Sequence, residues 1–425
     1  MSFREFRKAG HTPTLAAAFL YFDASFMVWV ILGPLGPFIG EALKLSATQK
    51  GFLTAVPLLG GSFFRPALGW MTERFGGRQT GLIGLAVSLV PLLIGWQLAR
   101  DFGDLLAVGV LLGVAGASFA AALPLASGWY PSEYQGIAMG IAGAGNSGTL
   151  LSTLFAPRLV QAFGWHSVFA MAMVPIIAVW IAFFLMARDA PGARPVKRWS
   201  DYAPLLREAD TGWFCFLYSL TFGGFVGLAS YLSIFFHDQY AISKVHAGDL
   251  TTLVVLFGSF LRPVGGFLAD RWGGYRMLLG LLTGIGACLM GVAILPTVSI
   301  TVALLVLSMA MLGMGNGSVF QLVPQRFSGR VGITTGIVGA AGGLGGFLLP
   351  SLLGAVKDRT GSFGLGFALF GSLVLCGALA LTYLGRVWRS AWSEESAQRA
   401  GLLGAVVESD RSEVACPSSS GCPHE

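Results

Sequence analysis

Two arginines and one aspartate stand inside stretches that otherwise carry no charge. Arg65 lies within about Lys50–Thr72, Arg262 within about Ala247–Ala269, and Asp23 within about Thr14–Ile39. A guanidinium is planar, always charged, and offers forked donors that fit planar oxyanions. An arginine at the centre of a bilayer costs about 2.5–3.5 kcal/mol on insertion scales, and two arginines close together also repel. A bound anion offsets both costs, so the pair reads as an anion clamp. The competing reading is that each arginine snorkels to the surface or caps a helix end. Asp23 is the only carboxylate assigned to the membrane interior. An isolated carboxylate in a low dielectric can take up a proton near neutral pH, which suits a proton carrier, against a static pairing with an arginine or a backbone group.

These residues must be held by membrane-spanning helices. Of 425 residues, 54% are hydrophobic and 11% charged, against about 25% charged in an ordinary soluble domain. The mean hydropathy is +0.71. Such a chain cannot cover a water-facing surface, which excludes a soluble enzyme, a disordered protein and a nucleic-acid binder. The net charge of +6 is spread over short loops rather than gathered in a stripe. A helix needs about 20 apolar residues to cross the hydrocarbon core. Stretches free of charge cover Gln79–Ala99, Leu105–Ser132, Tyr134–Pro157, Leu159–Ala187, Thr211–His237, Val331–Val356, Gly361–Gly385, and Met277–Gln325 broken at Pro296-Thr297. With the three that hold Asp23, Arg65 and Arg262, the expectation is an all-α membrane protein of twelve transmembrane helices. Of 27 Lys and Arg, 18 fall on the side of the termini and 7 on the other. That bias places both termini inside. The expected organisation is a six-helix half at 1–187, a cytoplasmic linker at 188–210, a second six-helix half at 211–387, and a tail without fixed structure at 388–425.

The halves repeat. Phe63, Arg65, Pro66, Gly69, Arg74, Gly76 and Gly77 recur 197 residues later as Phe260, Arg262, Pro263, Gly266, Arg271, Gly273 and Gly274, and Glu73 recurs as Asp270. Both arginines lie eight residues before the acid, roughly 12 Å from the inner interface. They are expected to face each other across a pseudo-two-fold axis, in two pseudo-symmetric six-helix bundles. Glu73, Arg74, Asp270 and Arg271 are expected to pair and to hold the inner side closed in outward-facing states. Two glycine-rich helices also repeat, with Gly143, Gly145 and Gly148 in one and Gly339, Gly342 and Gly343 in the other. Their glycines allow close packing and sliding. Cys416, Cys422 and His424 match no common zinc spacing and read as a solvated tail. No nucleophile–base pair, metal cluster or cofactor motif is visible, so the chain is not expected to be an enzyme.

The stretch Gly69-x3-Glu73-Arg74-x-Gly76-x-Arg78 resembles the loop motif of the major facilitator superfamily. The helices from Gly143 to Pro157 and from Gly336 to Pro350 resemble the two signature segments of the nitrate/nitrite porter family within it. Phe22-Asp23-x-Ser25-Phe26-Met27-Val28-Trp29-Val30, Arg65-Pro66, Tyr218-x3-Phe222, Arg262-Pro263 and Gly315-Asn316-Gly317-Ser318 also fit that family. The resemblance covers roughly residues 14–385. It implies a transporter that imports nitrate, or nitrite, through a cytoplasmic (inner) membrane by alternating access, with proton symport favoured and nitrate/nitrite exchange as the alternative. It further implies that Arg65 and Arg262 clamp the anion, that Phe119, Tyr218 and Phe222 line the pocket with Asn146 nearby, and that Asn316 and Gln321 are further candidates. The expected partners are the anion, protons and the lipid bilayer, with no cofactor, no nucleic acid and a monomeric state.

Overall fold

The computed structural model describes residues 3–191, 202–327 and 330–403. Twelve helical rods cross it: α1 (Thr12–Ala42), α2 (Ala47–Phe75), α3 (Gly77–Gln97), α4 (Phe102–Ser127), α5 (132–163), α6 (Trp165–Met186), α7 (Ala209–Tyr240), α8 (Lys244–Trp272), α9 (Gly274–Ala293), α10 (Val298–Arg326), α11 (Val331–Thr360) and α12 (Gly364–Ala391). Ten of them are long and apolar enough to span a bilayer by length and composition. The other two are α2, diluted by Lys50, Arg65, Glu73 and Arg74, and α5, which a 3-10 turn interrupts. The two rods that fall short are the ones that carry Arg65 and the first glycine signature.

The repeat runs through the turns as well as the motifs. Positive φ occurs at Lys44 and Ala241, at Gly76 and Gly273, and at Gly164 and Gly361. The members of each pair stand 197 residues apart. Each position ends a rod, where a left-handed residue lets the chain reverse. Gly164 also corrects a boundary expected at Arg158. The fifth rod continues through Arg158 to Phe163, and Arg158 is accommodated near its end because its Nη1 pairs with Asp249 at 2.7 Å.

Five rods are irregular near their midpoints. α1 breaks at Val30–Ile31, α4 at Ala117–Ser118 and α8 at Leu261. The break in α5 is the 3-10 turn Ala144–Ser147, and the one in α7 is a π-turn at Ser219–Gly223. Irregular backbone at membrane depth persists where it is buried in protein or lines a cavity, and π-turns concentrate at functional sites. Phe119, Asn146, Phe222 and Arg262 all lie on or beside these breaks.

One face of the molecule carries both described ends of the chain (the terminal face), and the other carries the loops around residues 43–46, 241–243 and 361–363 (the far face). The halves are tied together at the far face. Lys50 of α2 pairs with Asp238 of α7 at 2.7 Å, Lys244 of α8 pairs with Glu41 of α1, and Arg158 of α5 pairs with Asp249 of α8. Asp358 of α11 accepts from the amides of Ala47 (2.9 Å) and Thr48 (2.7 Å) at the start of α2. Glu41 and Asp238 again stand 197 residues apart, and each pairs with a lysine near the start of the other half's second rod. Below these pairs the backbones meet. A methyl on Gly248 would sit 2.7 Å from the Thr153 carbonyl, and one on Gly51 would run into the Pro350 carbonyl. Toward the terminal face the packing is looser at these helices: a methyl on Gly136 or Gly140 of α5, or on Gly336 of α11, would meet nothing within 4 Å.

Among the described residues, ion pairs between the halves stand at the far face, whereas the sequence pointed to Glu73, Arg74, Asp270 and Arg271 at the terminal face. Arg74 lies over the rings of its own helix, 5.3 Å from Trp70 and 5.8 Å from Phe75. The turn that follows is docked on its own half, where Asp189 accepts from the amides of Gly77 (2.7 Å) and Arg78 (3.2 Å). The equivalent turn after α8 is docked on the C-terminal segment: Tyr275 N donates to Ala400 O at 3.0 Å and Arg276 Nη2 to Leu403 O at 2.9 Å. The start of the expected tail is accordingly part of the fold. α12 runs on to Ala391, Trp388 stacks on Phe214 at 5.4 Å and donates to Asp210 at 2.9 Å, and a short helix at Glu394–Arg399 follows. Aromatic burial holds this segment, a force that its polar composition conceals. Cys416, Cys422 and His424 lie outside the described residues.

Candidate functional site

Arg65 and Arg262 are 3% and 8% exposed, so neither snorkels. Among the described residues neither is paired with a carboxylate. Arg65 donates from Nε to the Gly116 carbonyl of α4 at 3.2 Å and from Nη1 to the Gly339 carbonyl of α11, bridging the two halves. Its Cζ lies 5.3 Å from the Trp29 ring centre, 5.2 Å from Phe222 and 5.8 Å from Phe119. Arg262 enters from the opposite half with its Cζ 5.7 Å from the same Phe119 ring. Its Nη1 is buried with no protein partner, a rare condition that calls for a ligand or water. One phenyl ring thus sits within reach of both cations.

Aromatic rings close the walls. Tyr218 stacks on Phe222 at 5.1 Å with planes 4° apart, and it meets Phe320 at 4.8 Å. Phe320 in turn stacks on Phe119 at 6.1 Å. Two buried guanidiniums with no carboxylate partner among the described residues stand here among ring faces, an arrangement whose charge and size match a small monovalent anion. Nothing in it balances a cation.

The signature glycines do three separable jobs. Gly145 and Gly148 press α5 onto α1: a methyl on Gly145 would be 2.8 Å from Asp23 N, and one on Gly148 would collide with the Asp23 carbonyl. Gly342 seats the site's rings, with a methyl there 2.6 Å from Tyr218 Cδ1, and Gly343 admits Ser62 of α2. Gly143 and Gly339 face the site itself, where the nearest atoms to an added methyl are Arg262 Cζ at 4.0 Å and Phe119 Cε1 at 3.8 Å. From this, Gly148→Ala should lower the melting temperature in detergent, whereas Gly140→Ala should raise stability by about 0.4–1 kcal/mol through the unfolded state.

Asp23 accepts from the Ser147 hydroxyl at 2.6 Å. The bond fastens the membrane carboxylate to the 3-10 turn of the first signature. Asn146, in the same turn, is fully buried, and with its amide turned to place the nitrogen toward them it donates to the Gly143 and Ala144 carbonyls at 3.2 Å each. It secures the turn that borders Arg262. Asn316 is fully buried with both amide atoms lacking a protein partner. It stands four residues before Phe320, on the same face of α10. Gln321 does not join the site. Its Oε1 accepts from Gly274 N at 3.2 Å and its Nε2 donates to Arg399 O at 3.3 Å. One residue along a helix turns the side chain by about 100°, and that rotation takes Gln321 to the α8–α9 turn. Gln321→Ala should therefore leave anion affinity unchanged in a titration of the purified protein.

Three contributors were missed from sequence. Trp29 and Ser147 lay within quoted motifs without an assigned role, and Phe320 had no signal beyond its place four residues after Asn316.

A Major Facilitator Superfamily model matches residues 17–350. The chain is 34% identical over 364 residues to a "Nitrite extrusion protein" of Bacillus subtilis, covering 85% of this chain and 91% of that one. It is 33% identical over 398 residues to a "Probable nitrate/nitrite transporter NarK2" of Mycobacterium tuberculosis, covering 92% and 100%. It is 34% identical over 359 residues to a "Probable nitrate transporter NarT" of Staphylococcus carnosus, covering 83% and 91%. Among solved structures, the human organic anion transporter MFSD10 superposes with a TM-score of 0.68 at 15% identity, over 87% of this chain and 99% of that one. That likeness concerns the fold.

Proposed function

We propose that this chain, which belongs to the Major Facilitator Superfamily, moves nitrate or nitrite across the membrane by alternating access, with Arg65 and Arg262 as the anion clamp. The observation that carries the reading is the pair of buried guanidiniums, one from each half, with Arg262 Nη1 unpartnered. The names of the relatives at 33–34% identity support the choice of anion. The Lys/Arg bias supports placing the terminal face in the cytoplasm. In that orientation the loosely packed glycines Gly136, Gly140 and Gly336 lie toward the cytoplasm, and the far-face ion pairs close the outer entrance. Glu73, Arg74, Asp270 and Arg271 then lie where contacts form when the cycle reverses.

Import with protons is the favoured direction. Asp23 is the carboxylate placed to couple them, since it holds Ser147 on the α5 turn and its charge governs that bond. Exchange of nitrate for nitrite is the second reading, favoured by a relative named for nitrite extrusion. The test is nitrate uptake into proteoliposomes at fixed potential, with and without an inward proton gradient, and with nitrite or buffer inside. Proton-driven uptake into buffer-filled vesicles supports symport. Uptake that requires internal nitrite and ignores protons supports exchange. Uptake of neither anion under any condition removes both.

A further inference from the structure

We propose that Trp29 is a positioning residue for Arg65 and that it sets a preference for a planar anion. The inference deepens the nitrate reading and rests on it. Trp29 is completely buried on α1, and its indole is held by three contacts. Nε1 donates to the Pro57 carbonyl of α2 at 2.7 Å. One edge lies on Gly61 of α2, where a methyl would stand 2.8 Å from Cζ2. The same Cε2–Nε1 part of the ring lies on Gly116 of α4, where a methyl would collide with both atoms. Only glycine at both positions leaves room for the ring, and the hydrogen bond fixes its rotation.

Arg65 Cζ lies 5.3 Å from the centre of this immobilised ring. Gly116 serves both groups, since the indole rests against its Cα and its carbonyl accepts from Arg65 Nε. From the other half, Phe222 stacks near-parallel to the indole at 6.5 Å and 18°, with Arg65 Cζ 5.2 Å from its own centre. The guanidinium is therefore oriented by the carbonyls of Gly116 and Gly339 and by two rings that are themselves fixed relative to each other.

This arrangement decides which donors are left for an anion. All five guanidinium N–H groups lie in the plane of the group, so contacts with ring faces consume none of them. Tryptophan has the most electron-rich face among the side chains, and donation of its N–H to a carbonyl enriches that face further. A plane locked in this way presents coplanar donors. Nitrate, with three coplanar oxygens, matches them. Chlorate has the same charge and three oxygens but is pyramidal, and gains less from a fixed plane.

The test titrates thermal stabilisation of the full chain in detergent with nitrate and with chlorate, in wild type and in Trp29→Phe. Trp29→Phe keeps an aromatic face and loses the hydrogen bond. The nitrate concentration for half-effect should rise about 5- to 10-fold and that for chlorate less than about 2-fold, with the anion-free melting temperature little changed. An equal shift for both anions, or none, would mean that Trp29 only fills space and would overturn the proposal. A second measurement replaces all eleven tryptophans by 5-fluorotryptophan, which keeps their shape and drains the ring faces, and should raise the nitrate half-effect about 2- to 5-fold in wild type but not in Trp29→Phe. An unchanged value also overturns the proposal. A wild type that shows no nitrate response removes the nitrate reading itself, which separates that failure from a failure of the role of Trp29.

Discussion

Arg262→Lys should raise the nitrate concentration for half-maximal uptake by about 10- to 150-fold, the equivalent of losing one charge-assisted hydrogen bond of about 1.5–3 kcal/mol. The substitution keeps a positive charge at the same depth, so any loss reports on geometry. Lysine presents a compact ammonium on a flexible stem and cannot offer parallel donors. Because Arg262 Nη1 has no protein partner, shortening the group strands no protein acceptor at that atom, and the melting temperature without anion should fall little. Arg65→Lys should behave differently. Arg65 donates to the carbonyls of Gly116 and Gly339, and losing both leaves buried acceptors unmet at about 1–3 kcal/mol each. Uptake and stability should fall together. Wild-type half-saturation in Arg262→Lys would refute the clamp.

Asp23→Asn should abolish accumulation driven by a proton gradient, a loss of at least about tenfold in the steady-state ratio, which is about 1.4 kcal/mol of lost coupling. Asparagine is nearly isosteric, and its Oδ1 can still accept from the Ser147 hydroxyl that now bonds Asp23 at 2.6 Å. The close seat of α5 on α1, set by Gly145 and Gly148, should therefore persist. What disappears is the ability to gain and lose a proton. Exchange of nitrate for nitrite at equal pH on both sides should continue in the variant. Full retention of gradient dependence would return Asp23 to a structural role. A wild-type coupling of one proton per nitrate would be electroneutral symport, driven by the pH gradient alone and within the capacity of the single carboxylate of Asp23.

The twelve rods were legible because charge is so scarce in this chain that every charge-free run of sufficient length marks a span. Boundaries were legible where a positive-φ glycine coincided with a charge, as at Gly76 and Gly273. They were misread at Arg158, where charge fell inside a helix because a partner, Asp249, lay on a distant rod. The two arginines were legible from the repeat. Gln321 was placed wrongly because resemblance fixes a segment and not the face a side chain takes. The mid-rod breaks were not legible. A 3-10 or π-turn differs from an α-turn by a single hydrogen-bond register, and no residue type at Ala144–Ser147 or Ser219–Gly223 demands it. The packing of Trp29 was hidden for a related reason, because its slot is made by Gly61 and Gly116 on two other rods.

The crossed pairs at the far face bear on how the two halves meet. Glu41 reaches to Lys244 and Asp238 reaches to Lys50, so each half offers an acid at the end of its first rod and a lysine near the start of its second. A surface that supplies both members of its own contact is self-complementary, and it is the kind of surface on which two identical subunits meet across a two-fold axis. The single polypeptide therefore meets itself much as two subunits would, with the acids at the repeat offset of 197 residues and the lysines three residues off it.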